Sequence, residues 1–149
     1  MDPYYFMQEA INEAKNGWIE GEVPVGALLI DNSDRVLAKN HNRCISLNDP
    51  TAHAEMLVIR QAATSIKNYR LNGLTMFVTI EPCPMCMGAI INARLEMLIF
   101  GAFDQRAGAA GSAYNLANDK RLNHQVKVIS GVMENECKGL LQDFFRTRR

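Results

Sequence analysis

Two short stretches about thirty residues apart constrain this chain more than anything else in it: Pro50-Thr51-Ala52-His53-Ala54-Glu55 and Glu81-Pro82-Cys83-Pro84-Met85-Cys86. A histidine, an acid two residues on and a Cys-x-x-Cys pair supply three metal ligands, His53, Cys83 and Cys86, and leave the carboxylate of Glu55 uncommitted. Structural zinc sites close their tetrahedron with four protein ligands, whereas catalytic sites use three and keep the fourth position open. Three ligands and a spare acid therefore point to one zinc ion per chain and to hydrolysis.

For these residues to meet, two helix starts must converge. Thr51 or Asp49 can cap a helix that begins near Ala52, which puts His53 and Glu55 in its first turn, and Pro84 starts a second helix that carries Cys86. Residues two apart diverge by roughly 200° around a helix, so His53 and Glu55 cannot share a lateral face. Both can reach a group on the axis just beyond the helix end, where two positive dipole ends favour deprotonated ligands.

Phe6, Ala10, Ile11, Ala14 and Trp18 recur at helical spacing and predict a first helix over 3–20, with Trp18 in the core. Residues 25–30 and 36–40 read as strands of a hairpin around the polar turn Asp31-Asn32-Ser33-Asp34. The His53 helix is expected to run to about Asn68, and a buried strand over Thr75 to Ile80 to deliver Glu81-Pro82-Cys83. The Cys86 helix should extend to about Ala93, and a further strand should cover Leu95 to Phe100. Val126 to Ser130 reads as a final strand and Glu134 to about Arg148 as a closing helix, with Cys137, Leu140, Leu141, Phe144 and Phe145 on its apolar side. This alternation predicts an α/β fold, parallel strands between helix layers, with ligands gathering beyond the carboxyl ends of the strands. Residues 101–123, rich in Gly, Ala, Ser and Asn, are too long for a bare connector; loops of that length are functional or disordered.

A chain of 149 residues, 48% hydrophobic, suits a single domain over 1–149 with a sizeable core. Sixteen basic and sixteen acidic residues cancel, so any RNA contact must be local. Such a patch exists between Lys138 and Arg149, where four basic residues face one acid, Asp143. The start of the chain lacks a signal-like run and no stretch approaches membrane-spanning length, so a cytoplasmic protein without membrane contact is expected. Four cysteines could form two disulfides, but the Cys83/Cys86 spacing without a secretion signal favours metal, and Cys44 and Cys137 read as inert thiols. His41 and His124 read as hydrogen-bonded or surface groups, because a fourth ligand would close the site that Glu55 serves.

His53-Ala54-Glu55 with Pro82-Cys83-Pro84-Met85-Cys86 matches the H-x-E…P-C-x-x-C signature of the zinc-dependent nucleoside and nucleobase deaminases. On these motifs alone, cytosine, guanine and cytidine deaminases fit equally well. Glu22-Val23-Pro24-Val25-Gly26-Ala27, Asn48 to Glu55, Gly108-Ala109-Ala110-Gly111-Ser112, Leu122-Asn123-His124 and Asp143 to Arg149 extend the likeness, and with them the chain resembles the bacterial tRNA-specific adenosine deaminases. The resemblance implies a cytidine-deaminase-like three-layer α/β/α sandwich around a mixed five-stranded sheet. It also implies a homodimer that converts the wobble adenosine of a tRNA anticodon stem-loop to inosine.

By the same resemblance His53, Cys83 and Cys86 are the zinc ligands and Glu55 the proton shuttle. Asn42 stands at the substrate nucleoside, Asp104 and Asn123 at the anticodon loop, and Phe145 with Arg149 in a C-terminal segment that touches RNA. Asn42 offers both a donor and an acceptor, and Phe145 a stacking face beside guanidinium groups, as single-stranded RNA requires. Helical spacing equally allows Phe144 or Phe145 a place in the core and the arginines a solvated helix end. Two other readings are a deaminase of a free base or nucleoside, which needs no basic aromatic tail, and an inert zinc-stabilised RNA-binding subunit, against which an intact Glu55 argues.

Overall fold

The architecture starts from a hairpin whose turn is built by one side chain: Asp31 Oδ1 accepts the Ser33 and Arg35 N–H groups at 2.8 and 3.0 Å. It joins β1 (Gly26–Ile30) to β2 (Val36–His41). The computed structural model describes residues 1–148, and the remaining elements are α1 (Pro3–Ile19), α2 (Ala54–Ile66), β3 (Thr75–Ile80), α3 (Pro84–Asn92), β4 (Met97–Ala102), β5 (Lys127–Ile129) and α4 (Glu134–Thr147).

The sheet has the order β2-β1-β3-β4-β5. The hairpin makes β1 and β2 antiparallel, and α2 carries the chain across β1 to β3, so β1 lies between two strands that run against it. From there α3 returns the chain and β3, β4 and β5 are parallel. The expected parallel arrangement thus holds for three strands, and β1 runs counter to it.

Every residue of β1 and β3 is buried, as strands covered on both faces require. On one face Ala54, Val58 and Ala62 of α2 and Met87, Ile90 and Ile91 of α3 pack with Leu29, Met76 and Val78. On the other, Phe6, Met7, Ala10 and Ile11 of α1 and Cys137 of α4 meet Leu28, Phe77 and Ile99. The strand alternation of Met76, Phe77 and Val78 sorts them to opposite layers. This is the expected α/β/α sandwich on a mixed five-stranded sheet.

Several boundaries differ from those predicted. β4 begins and ends two residues later than expected, and β5 is only three residues long. Trp18 is half-buried and sets its ring edge-on to Phe144 at 5.3 Å, sealing the seam between α1 and α4 instead of filling the core. Phe145 is not on the apolar side of α4: it is 49% exposed while Phe144 is 4% exposed, because neighbours on a helix point about 100° apart. No helix among the described residues is long and apolar enough to cross a membrane.

Candidate active site

Two helices present their N-termini to one point beyond the carboxyl end of β3. His53 and Cys83 occupy the N-cap positions of α2 and α3, each with extended backbone, and neither side chain caps its own helix. An N-cap side chain normally accepts one of the first free amides. At α2 that acceptor comes from elsewhere: Asn42, just after β2, takes the Ala54 N–H on its Oδ1 at 2.8 Å. The expected capping by Thr51 or Asp49 is not formed. Asp49 Oδ1 instead accepts the Thr51 N–H and hydroxyl at 2.8 and 2.7 Å, closing a turn that delays the helix from Ala52 to Ala54. His53 therefore lies just outside the first turn and Glu55 inside it.

His53 Nδ1 stands 3.7 Å from Cys83 Sγ and 3.4 Å from Cys86 Sγ, and the three ligand atoms lie within 4.8 Å of one another. A tetrahedral ion with a zinc–sulfur bond of about 2.3 Å and a zinc–nitrogen bond of about 2.0 Å sets sulfur and nitrogen about 3.5 Å apart. The observed distances bracket that value, so the trio fits such an ion. The hydrogen bond between the two thiols holds Cys83 down to about 4 and pushes Cys86 far above the ordinary thiol range. His53 is raised chiefly by its hydrogen bond with Cys83. A divalent cation would displace these shared protons. Glu55, only 4% exposed, is pushed up to about 7 by burial.

A cavity of about 110 Å³ opens beside these groups, lined by Asn42, His53, Glu55, Glu81, Cys83 and Asp104 among others. A larger, more apolar cavity of about 600 Å³ adjoins it, sharing Val25, Ile80 and Asp104 and adding Phe103, Leu141 and Phe145. Of the residues singled out in the sequence, His53, Glu55, Cys83, Cys86, Asn42 and Asp104 come together, and Phe145 borders the adjoining cavity. Asn123 does not join them. It is exposed at the opposite end of the sheet, its carbonyl accepting from Arg94 Nη1 at 2.8 Å, and its neighbour His124 lines a cationic cleft there with Arg70, Arg94 and Lys127. Arg149 lies outside the described residues.

The remaining histidines and cysteines have structural surroundings. His41 is buried, with Nδ1 2.7 Å from Glu13 Oε1 and Nε2 3.0 Å from Glu20 Oε1, the latter off the line of a good hydrogen bond. His124 Nε2 lies 2.6 Å from the Leu95 carbonyl. Burial pushes the Cys137 thiol up to about 12 and raises Cys44, as unreactive thiols require. Two residues quoted in the sequence motifs without a role of their own are the buried carboxylates Glu22 and Glu81. Glu22 accepts the Ile45 and Ser46 N–H groups at 3.1 and 2.8 Å and so pins the loop after Asn42. The one sequence signal for Glu81 is an acid at the end of an otherwise apolar stretch.

The whole chain, residues 1–149, matches the family model of the MafB19-like deaminases. It is 48% identical over 144 residues to a tRNA-specific adenosine deaminase of Bacillus subtilis, covering 97% of this chain and 89% of that one. A tRNA-specific adenosine deaminase of Haemophilus influenzae is 43% identical over 143 residues, covering 96% and 83%. A solved structure from work on A-to-I editing by tRNA deaminases at the wobble position superposes with a TM-score of 0.88 at 41% identity, over 92% of this chain and 99% of that one. With its sheet order, its helix layers and its His-Cys-Cys cluster in place, the chain belongs to the MafB19-like deaminase family.

Proposed function

We propose that this chain hydrolyses adenosine to inosine at the wobble position of a tRNA anticodon, using one zinc ion per protomer. The observation that carries the substrate is the 48% identity, along 97% of the chain, to a tRNA-specific adenosine deaminase. His53, Cys83 and Cys86 would hold the zinc, whose chemistry is Lewis-acid activation of water. Glu55 accepts a proton as water attacks the ring carbon that bears the amino group. It returns that proton as the amino nitrogen leaves as ammonia. A carboxyl brought to about 7 by burial suits a group that must act as base and then as acid near neutral pH.

The other residues orient the substrate. Asn42 has its Oδ1 committed to the Ala54 N–H, which leaves Nδ2 as the donor it can offer a nucleoside. Asp104 Oδ1 accepts the Arg106 and Ala107 N–H groups at 3.0 and 3.2 Å, leaving Oδ2 for the anticodon loop. Phe145 offers an exposed ring for a base to stack on, and Arg149 would follow it with charge. Asn123 stands at the other end of the sheet, so its contact with RNA belongs to a homodimer in which the far end of one protomer neighbours the pocket of the other. A tRNA substrate assigns the protein, as one deaminase domain over 1–149, to the cytoplasm.

The test is incubation of the zinc protein with tRNA transcripts, free adenosine, cytidine and guanine, reading inosine, uridine and xanthine by mass. Inosine confined to the anticodon is the expected product. Turnover of a free base or nucleoside in preference to tRNA would overturn the assignment.

A further inference from the structure

Residues 103–112 contain no helix or named strand, yet Gly108, Ala109 and Ala110 are buried. Buried backbone amides need partners, and a loop cannot supply them from a ladder. Here the Gly108 N–H turns back to the Asp104 carbonyl at 2.8 Å, and one side chain takes three further amides of the loop. Glu81, 3% exposed, accepts the Asp104 N–H on Oε1 at 3.0 Å and the Ala110 and Ser112 N–H groups on Oε2 at 2.9 and 3.1 Å. The Ser112 hydroxyl lies 2.6 Å from Oε1 and 2.7 Å from the Asp104 carbonyl and shares its proton between them. Gly108 packs directly on the carboxylate, so that a Cβ there would overlap it. The next residue continues the attachment, Ala109 N–H donating to the Pro82 carbonyl at 2.8 Å.

We infer that Glu81 is a positioning residue: it fixes the wall that carries Asp104 between the zinc pocket and the Phe103/Phe145 cavity, in register with the metal ligands. Asp104 is common to both cavities, and Glu81 lies two residues before Cys83 on the segment that leaves β3. One short segment thus holds a ligand with one residue and the substrate wall with another. Both oxygens of Glu81 are already occupied by two donors each, so its part is to place backbone, not to move protons. The consequence for recognition rests on the tRNA deaminase reading above.

Glu81→Gln tests it, because the amide NH₂ must face N–H donors on one side. In the zinc-loaded full chain, zinc content should be retained and hydrogen exchange at Asp104, Ala110 and Ser112 should rise by on the order of tenfold or more, as loss of a charged hydrogen bond implies. KM for an anticodon stem-loop should rise by a similar factor while kcat holds to within about threefold, the split expected when bound geometry but not chemistry is lost. Ser112→Ala should move the same readouts in the same direction by less, and decides the matter if Glu81→Gln does not fold. In the double variant the two effects should be less than additive, as for groups in one network. A fall in kcat at unchanged KM, or unchanged exchange at the three amides, overturns the assignment. The exchange measurement needs no turnover, so a wild-type chain inactive on RNA would refute the substrate reading and leave Glu81 to be judged on exchange.

Discussion

His53 and Cys83 both sit where a helix would normally be capped, and both turn their side chains to the His-Cys-Cys cluster instead. Asn42 therefore caps α2 with its Oδ1 and, on the proposed reading, keeps its Nδ2 as a donor for the substrate. Asn42→Ala should destabilise the fold by about 1 kcal/mol, the usual worth of an N-cap, and also raise KM. Asn42→Asp keeps the acceptor and adds charge that the helix N-terminus favours, so it should hold the melting temperature and still raise KM. Equal melting temperatures for Asn42→Ala and wild type would remove the cap from this account. Glu55 ties the stability of the fold to pH. Burial raises it in the folded chain from 4.5 to about 7, so the folded state binds its proton more tightly and stability is lost as pH rises through that window. Glu55→Gln cannot ionise, and in metal-stripped protein its melting temperature should gain on wild type progressively as pH rises across the same window. A difference independent of pH would contradict the burial argument. The convergence of His53, Cys83 and Cys86 beside Glu55 was legible in the sequence, because a three-ligand metal site with a spare acid demands those side chains at those spacings. The cap from Asn42 was not, since its partner lies twelve residues away across the end of a strand.

At the scale of elements, periodicity located all four helices but left open which of two adjacent phenylalanines faces inward. The angle at which α4 crosses the sheet decides it, and that angle depends on contacts remote in sequence, such as Cys137 against β4 and Trp18 against Phe144. Phe144→Ala should cost about 3–5 kcal/mol by opening a cavity in the seam. Phe145→Ala should leave stability within about 0.5 kcal/mol and raise KM for RNA. Matching stability losses from the two, read by denaturant melts, would refute the division. The direction of β1 was likewise hidden, because strand pairing is nonlocal and the sequence shows only that β1 and β2 form a hairpin. Gly26, in contrast, announces close approach once the layers are known: a Cβ there would overlap the Ala10 carbonyl and lie 2.6 Å from the Ala14 amide. Gly26→Ala should therefore destabilise by about 1–3 kcal/mol through overpacking of α1 on β1.

For the whole molecule, a net charge of zero means that the proposed RNA binding has to use local features, at the mouth of the larger cavity and along the end of α4. The long connection after β4, whose length in the sequence fitted either function or disorder, is ordered through Glu81 and forms part of that mouth. The central claim is that the His53, Cys83 and Cys86 cluster with Glu55 removes the amino group of a wobble adenosine. Its most direct test is single-turnover formation of inosine in an anticodon stem-loop by zinc-loaded wild type and zinc-loaded Glu55→Gln, side by side at equal metal content. Wild type should convert the wobble adenosine and no other, and the variant should bind the same RNA with its rate reduced by roughly 10²–10⁴ or more, the worth of a general acid–base group that must act twice. Inosine formed by Glu55→Gln at a rate near that of wild type would contradict the account.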